Sequence, residues 1–396
     1  MYGHTPYDLT QRNISGCGLS AMMSRRGRLV NGEAIINSIG LLEDRGNGLG
    51  GGFAVYGCYP HFPNEFALHL MYYSARAKED TERLLDERYE VVQEERIPTR
   101  PVAGVEAATA PILWRYFVHA KPVKLAETML PSAEEFVLRS VMEINLHIDG
   151  AYVFSSGKNM GAFKAVGSAK DVGVFYRLEE YTGYTWIAHD RFPTNTPGWW
   201  GGAHPFTMLD FAVVHNGEIS SYGINKRYLE QFGYRCTLRT DTEVMAYLLD
   251  LLLRRHKLPI EVAIAAMVAP FWKDIDALAE THPEQADLYR SLRMVYGGAL
   301  VNGPFAIVFG HRRGMVGLND RIKLRPLVAA EKDDCVYLSS EESGILEMCG
   351  DPDRIWSPRG GEPVIVELDA DVYPDIPASV SRATMGSVGF SASYRG

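Results

Sequence analysis

A layered α+β fold is predicted by three features of this 396-residue sequence: short β-rich runs at both ends, amphipathic helical stretches between them, and no regular strand–helix alternation. The leader Met1–Gly16 is polar and contains Pro6, whereas Cys17–Met23 is apolar enough for a buried strand, so a structural break falls near Gly16. Asn31-Gly32-Glu33 opens a segment with Ile35, Ile36, Ile39 and Leu42 at helical spacing, which Arg45-Gly46-Asn47-Gly48 closes. A strand is expected over Gly52–Cys58. Residues 79–96 and 133–148 read as amphipathic helices separated by a Pro-containing stretch. Further β-rich runs lie at 151–155, 184–189, 211–215, 304–310, 335–340 and 363–368. Thr240 and Glu243 have the spacing of a capping box ahead of a buried helix, Val244–Arg255, and 257–296 is helical in pattern too. The last 25 or so residues, rich in Ser, Ala and Gly, read as a surface extension.

Composition narrows the function classes. Hydrophobic residues make up 46% of the chain, enough for a substantial core. Forty Lys and Arg against 49 Asp and Glu leave a net charge of −9, which offers no general attraction for nucleic acid or anionic lipid. No apolar run approaches the roughly 20 residues of a membrane span, and residues 1–16 lack the apolar centre of a secretion signal. A cytoplasmic protein with no membrane and no nucleic-acid partner is expected. The five cysteines (17, 58, 236, 335 and 349) contain no C-x-x-C pair, which argues against a disulfide framework and against a zinc or iron–sulfur site.

Cys17, in Ile14-Ser15-Gly16-Cys17-Gly18-Leu19, is the candidate nucleophile. A cysteine that becomes an N-terminus unites a thiol with an α-amine able to act as its base. The amine titrates at about 7.7–8.0 and the thiol at about 8.5, so proton transfer between them near neutral pH is nearly balanced. A peptide nitrogen could not accept that proton. The alternative is a small buried hydrophobe, the commonest state of a free cysteine.

Three segments lie where strand-like runs give way to turns: 189–196, 215–219 and 239–243. Asn216 can offer a side-chain N–H and Gly217 a backbone N–H to a developing oxyanion. Arg191 supplies a planar fork suited to a carboxylate, and Asp241 an acceptor for an ammonium, the two charges of a free α-amino acid. Each has a quieter explanation. Asn-Gly is commonly just a turn, Arg191 can pair with a surface acid, and Asp241 can cap its helix.

Taken together, Cys17-Gly18, the Arg-x-x-Thr-Asn of 191–195, His215-Asn216-Gly217-Glu218-Ile219 and the Asp241 segment resemble the class II glutamine amidotransferases, which are N-terminal-nucleophile hydrolases. The resemblance sharpens toward the glutaminase part of glutamate synthase. Phe192-Pro193-Thr194-Asn195-Thr196, His204-Pro205-Phe206, the segment 320–327 and Ser339-Ser340-Glu341 carry it. The matches run from about residue 17 to 345. The chain departs from the family at Ile322-Lys323, where a small Gly-containing turn is usual, and matches loosely over 60–165.

The resemblance implies a four-layer αββα sandwich in a domain spanning 17–365, after a leader (1–16) and before an extension (366–396). It implies that Cys17, freed of its leader, attacks the side-chain amide of glutamine, with Asn216 and Gly217 forming the oxyanion hole. Arg191 and Asp241 would hold the substrate's α-groups, and Phe192 (through its backbone), Thr194 and Asn195 would complete the pocket. No metal or cofactor is expected in this chain. The 51 residues after 345 are too few for a second catalytic domain, so ammonia would pass to a separate synthase subunit carrying FMN and an iron–sulfur cluster. A related aminating synthase, such as one making N-methylglutamate, and a catalytically silent docking subunit of the same fold are the alternatives. An amidase for another acyl group would not need both Arg191 and Asp241.

Two further patterns carry less. Gly46-Asn47-Gly48-Leu49-Gly50-Gly51 satisfies G-x-G-x-x-G, but a helix precedes it and a strand follows, the reverse of a dinucleotide site. His189, His204 and His215 are too widely spaced to suggest a metal site and read as structural.

Overall fold

Gly18–Ser24 is buried along its whole length, which requires cover on both faces, and the topology supplies it. The computed structural model describes residues 16–192, 198–238 and 240–372. Most of the leader, the chain beyond 372, and Thr194 and Asn195 lie outside them.

Gly18–Ser24 is central in a seven-stranded antiparallel sheet, between Cys335–Ser339 and Thr185–Asp190. Gly51–Tyr56 and Met160–Ala165 extend the sheet on one side, and Val328–Lys332 and Arg354–Trp356 on the other. A five-stranded antiparallel sheet runs Phe206–Met208, Phe211–Gly217, Phe305–His311, Gly314–Asn319, Val364–Glu367. Alternation along the strands decides which residues meet. Leu19, Ala21 and Met23 point with Ile187, Val336 and Leu338 toward Ala212, Val214, Ala306 and Val308 of the second sheet, forming a dry inter-sheet core. Met22, Phe53, Val55 and Trp186 point the other way, against Ile35, Ile36 and Ile39 of the helix Glu33–Gly40, Val172 of Ala169–Phe175 and Ile345 of Glu342–Cys349.

The outer face of the second sheet, with Val213, Ile307 and Phe309, is covered by the helices Asp241–Leu249 and Ile260–Met267. Helix, sheet, sheet, helix: the chain is the expected four-layer α+β sandwich. A third sheet, in the order Tyr89–Arg96, Ile112–Ala120, Phe66–Tyr72, Ala151–Ser155, forms the flank with the helices Ala75–Arg88 and Ala133–His147.

The structure corrects three local expectations. Residues 79–96 are not one helix: Ala75–Arg88 is helical, and Tyr89–Arg96 is an edge strand paired with Ile112–Ala120. Charged residues of good helix propensity fill that strand, and pairing with a neighbour distant in sequence overrides the propensity. The helix expected over Val244–Arg255 starts at Asp241, and beyond Leu249 it widens to a π-helical stretch, Asp250–Arg255. The capping box is only half formed. Thr240 accepts from the Thr242 N–H, but Glu243 turns away to accept from the Thr237 and Leu238 N–H groups at 2.9 and 3.0 Å.

Leu338 is fully buried between the two sheets. Leu338→Ala should lower unfolding free energy by about 2–5 kcal/mol, read as a shifted denaturant midpoint at unchanged slope. An unshifted midpoint would show that the inter-sheet core does not hold the sandwich together.

Candidate active site

The register Gly18 opposite Asp190 and Leu19 opposite His189 puts the start of one strand beside the end of its neighbour. Cys17 therefore lies against Arg191 and Phe192, although more than 170 residues separate them. The Phe192 N–H donates to the Cys17 Sγ at 3.3 Å, and the Sγ lies 3.9 Å from the Phe192 carbonyl. The main chain of Cys17 is held as firmly. The Arg45 Nε donates to its carbonyl at 3.1 Å, and the Arg45 Nη1 bonds Glu341 Oε1 at 2.6 Å.

Burial pushes the Cys17 thiol up to about 11, against the opposing pull of the Phe192 N–H and of the Arg191 and Arg325 cations. In the continuous chain, with its nitrogen acylated by Gly16, Cys17 is a protonated thiol at neutral pH. Arg191 is buried, with its backbone N–H on the Gly50 carbonyl at 2.8 Å. Burial lowers its guanidinium below the usual arginine value, and the charges of Cys17 and Asp241 work in the opposite sense.

Asp241 opens the helix Asp241–Leu249. Its Oδ2 accepts from the Ile219 N–H at 2.9 Å, and its Oδ1 lies 3.5 Å from His215 Nδ1. Burial alone would raise this carboxyl. The facing His215 and these hydrogen bonds prevail and hold it at about 2, so it is an anion throughout the physiological range.

Asn216 and Gly217 end the strand Phe211–Gly217 in the other sheet. Asn216 is 1% exposed and its Nδ2 donates to Ser340 Oγ at 3.4 Å. Gly217 has φ +139°, and a Cβ there would lie 2.0 Å from the Pro304 carbonyl oxygen. Only glycine fits. Of the residues singled out from the sequence, Cys17, Arg191, Phe192, Asn216, Gly217 and Asp241 gather at one end of the sandwich. Thr194 and Asn195 fall outside the described residues.

Sequence spacing hid one constellation. His189, His204 and His215 are all buried and come together. His189 Nε2 is 2.8 Å from the His215 carbonyl and must donate to it. His204 Nδ1, 3.0 Å from the same nitrogen, is then an acceptor, leaving His204 Nε2 to donate to Thr242 Oγ1 at 3.1 Å. Thr242 donates to Asp241 Oδ1 at 3.3 Å. Burial brings His189 down to about 3 and His204 well below its ordinary range, so both are neutral and the chain of donors runs one way, into the carboxylate. Lys164, fully buried, braces the same region by donating to the Gly201 and Pro205 carbonyls at 2.9 and 3.2 Å. Neither the histidine chain nor Lys164 has a signal in sequence, because contacts across the sheets create them.

Among the described residues no group of three or more His, Cys, Asp or Glu is placed to hold a metal ion, and no helix is long and apolar enough to cross a membrane. A cavity of about 390 Å³ lined by Tyr59, Phe62, Arg115, Phe117 and Tyr181 includes none of the residues gathered around Cys17.

Asp190, which is 1% exposed, sits behind the site with Oδ2 on the Ala169 N–H at 2.9 Å, under Gly46, where a Cβ would meet Oδ1 at 2.1 Å. Burial raises its carboxyl to about 7. The folded state therefore binds this proton more tightly than the unfolded chain, whose aspartate titrates at about 3.9. The contribution to stability is full below that pH and is lost as pH rises through about 7. Asp190→Asn should flatten the fall in melting temperature of the wild type between pH 5 and 8. Parallel profiles for the two proteins would mean that Asp190 is ionised across this range.

The profile of the family described as glutamine amidotransferases class-II matches residues 70–236. An uncharacterized protein of Archaeoglobus fulgidus is 51% identical over 91% of this chain and 94% of its own length. A protein of Methanothermobacter thermautotrophicus, provisionally named a glutamine amidotransferase, is 26% identical over 84% of this chain and 93% of its own. The glutamine amidotransferase-like protein GlxB of Rhizobium meliloti is 28% identical over 52% of the chain and 59% of that protein. With its α+β sandwich of two facing sheets and the match of residues 70–236, the chain is similar to the class II glutamine amidotransferases.

Proposed function

We propose that the protein is a glutaminase subunit that hydrolyses glutamine through a Cys17 thioester and passes ammonia to a separate synthase subunit of the glutamate synthase kind. The observation that carries the reading is the Phe192 N–H on the Cys17 sulfur at 3.3 Å, which sets the nucleophile against the segment that bears Arg191. A nucleophile beside a cation and an anion suits a substrate with both charges on its α-carbon. Arg191 takes the α-carboxylate and Asp241 the α-ammonium.

Once residues 1–16 are removed, the Cys17 α-amine accepts the thiol proton, and the sulfur attacks the side-chain amide carbon of glutamine. The carbon–oxygen double bond becomes an oxyanion that Asn216 Nδ2–H and the Gly217 N–H stabilise. As the oxyanion collapses the carbon–nitrogen bond breaks, the α-ammonium returns its proton to the leaving nitrogen, and ammonia departs. Water then attacks the thioester, with the same amine as base, to release glutamate and regenerate the thiol. The Phe192 N–H on the sulfur favours the thiolate and offsets part of the burial that opposes it. Flavin and iron–sulfur chemistry would belong to the ammonia-consuming subunit. The likeness of segments 192–196, 204–206, 320–327 and 339–341 to glutamate synthase supports that partner.

Cys17→Ala should abolish ammonia release from glutamine, and the mass of the active protein should correspond to a chain starting at Cys17. A purified protein that stably retains Met1 and releases no ammonia would instead support a silent docking subunit. Asp241→Ala should weaken glutamine binding by about 1.5–3 kcal/mol, roughly 10- to 150-fold in KM. An equal effect on a substrate without the α-amine would remove Asp241 from that role. Asn216→Ala should lower kcat by about 10²–10³.

A further inference from the structure

The geometry points to Ser340 as a positioning residue for the oxyanion: its hydroxyl ties the Asn216 amide to the nucleophile's strand, so that the two halves of the catalytic site, carried by different sheets, are aligned as one unit. The inference rests on the glutaminase reading. Cys17 precedes Gly18–Ser24 in the seven-stranded sheet, and Asn216 belongs to Phe211–Gly217 in the five-stranded one. The inter-sheet core is apolar and sets the spacing of the layers without setting the direction of any polar group.

Ser340 is 2% exposed and follows directly on Cys335–Ser339, the strand paired with Gly18–Ser24. It is fastened there from three sides. Its N–H donates to the Leu19 carbonyl at 2.9 Å, its Oγ accepts from the Leu19 N–H at 3.2 Å, and the Ser339 Oγ donates to the same Leu19 carbonyl at 3.2 Å. Leu19 is two residues from Cys17. The same Oγ accepts from Asn216 Nδ2 at 3.4 Å. A hydroxyl has two acceptor lone pairs, and here one serves each sheet.

The amide torsion of an asparagine is soft, with a broad, roughly two-fold profile. Asn216 needs one fixed contact if its second N–H is to point at a developing charge. Among the described residues its side chain makes one hydrogen bond, the one to Ser340, and its buried Oδ1 has no partner. The orientation of the amide therefore depends on this hydroxyl. Among the described residues Ser340 hydrogen-bonds Leu19 and Asn216 and neither Arg191 nor Asp241, so ground-state binding of glutamine is separable from it.

The test is a double-mutant cycle read in steady-state glutamine hydrolysis. Ser340→Ala should lower kcat about tenfold, the worth of one hydrogen bond that orients a transition-state donor, with KM within a factor of about two. In an Asn216→Ala background the same substitution should lower kcat less than about twofold, because nothing remains for Ser340 to orient. Ser340→Cys, similar in shape but a weak acceptor, should fall between, and it carries the cycle if Ser340→Ala does not fold. An equal loss in both backgrounds, or a change confined to KM, would overturn the positioning role while leaving the glutaminase reading intact. A processed wild-type protein that releases no ammonia from glutamine would overturn that reading and this inference together.

Discussion

The antiparallel register of Gly18 opposite Asp190 is the constraint from which the site follows. It brings the residue before one strand beside the residues after another, which is why a cysteine near one end of the chain meets Arg191 and Phe192. A slip of one residue would exchange every inward and outward side chain, turning Leu19 and Ala21 out of the inter-sheet core and Cys17 away from Arg191. The register is therefore secured by packing on both faces of the strand as well as by its hydrogen bonds. Catalytic geometry and core stability share the same residues.

A second constraint comes from having two sheets. Cys17 and Arg191 belong to one, Asn216, Gly217 and the helix bearing Asp241 to the other. Over most of the contact the layers are joined by apolar side chains, and at the site they are joined by polar ones: His189 to the His215 carbonyl and Ser340 to Asn216. Buried polar groups confer direction where apolar packing confers only distance, provided that they are satisfied. The neutral histidine chain running from His189 through His204 and Thr242 into Asp241 supplies such direction. The carboxylate stays charged, in surroundings that would otherwise neutralise it, chiefly because His215 faces it.

Misreadings of the sequence have a common origin. Tyr89–Arg96 has the composition of a helix end and is a strand because Ile112–Ala120 lies beside it. Glu243 has capping-box spacing, yet its carboxylate serves the main chain of the preceding loop. The three histidines seemed unrelated because 15 and 26 residues part His189 from the other two, a separation that β pairing and sheet stacking remove. In each case a contact distant along the chain outweighed a local preference.

Local pattern alone was enough for the buried first strand, the helix after it, the layered α+β class, and the candidate residues Cys17, Arg191, Asn216, Gly217 and Asp241. These were legible because burial writes itself into short-range periodicity, and because a thiol, a fork of donors and an Asn-Gly turn have chemistry of their own wherever they stand. Tertiary structure decided the rest: that the Phe192 N–H meets the Cys17 sulfur, that His204 and Thr242 relay donors into Asp241, and that Ser340 lies between Leu19 and Asn216. Most of these relations join residues tens to hundreds of positions apart, and they exist only once strand register and the stacking of two sheets have brought separate stretches of chain within hydrogen-bond reach.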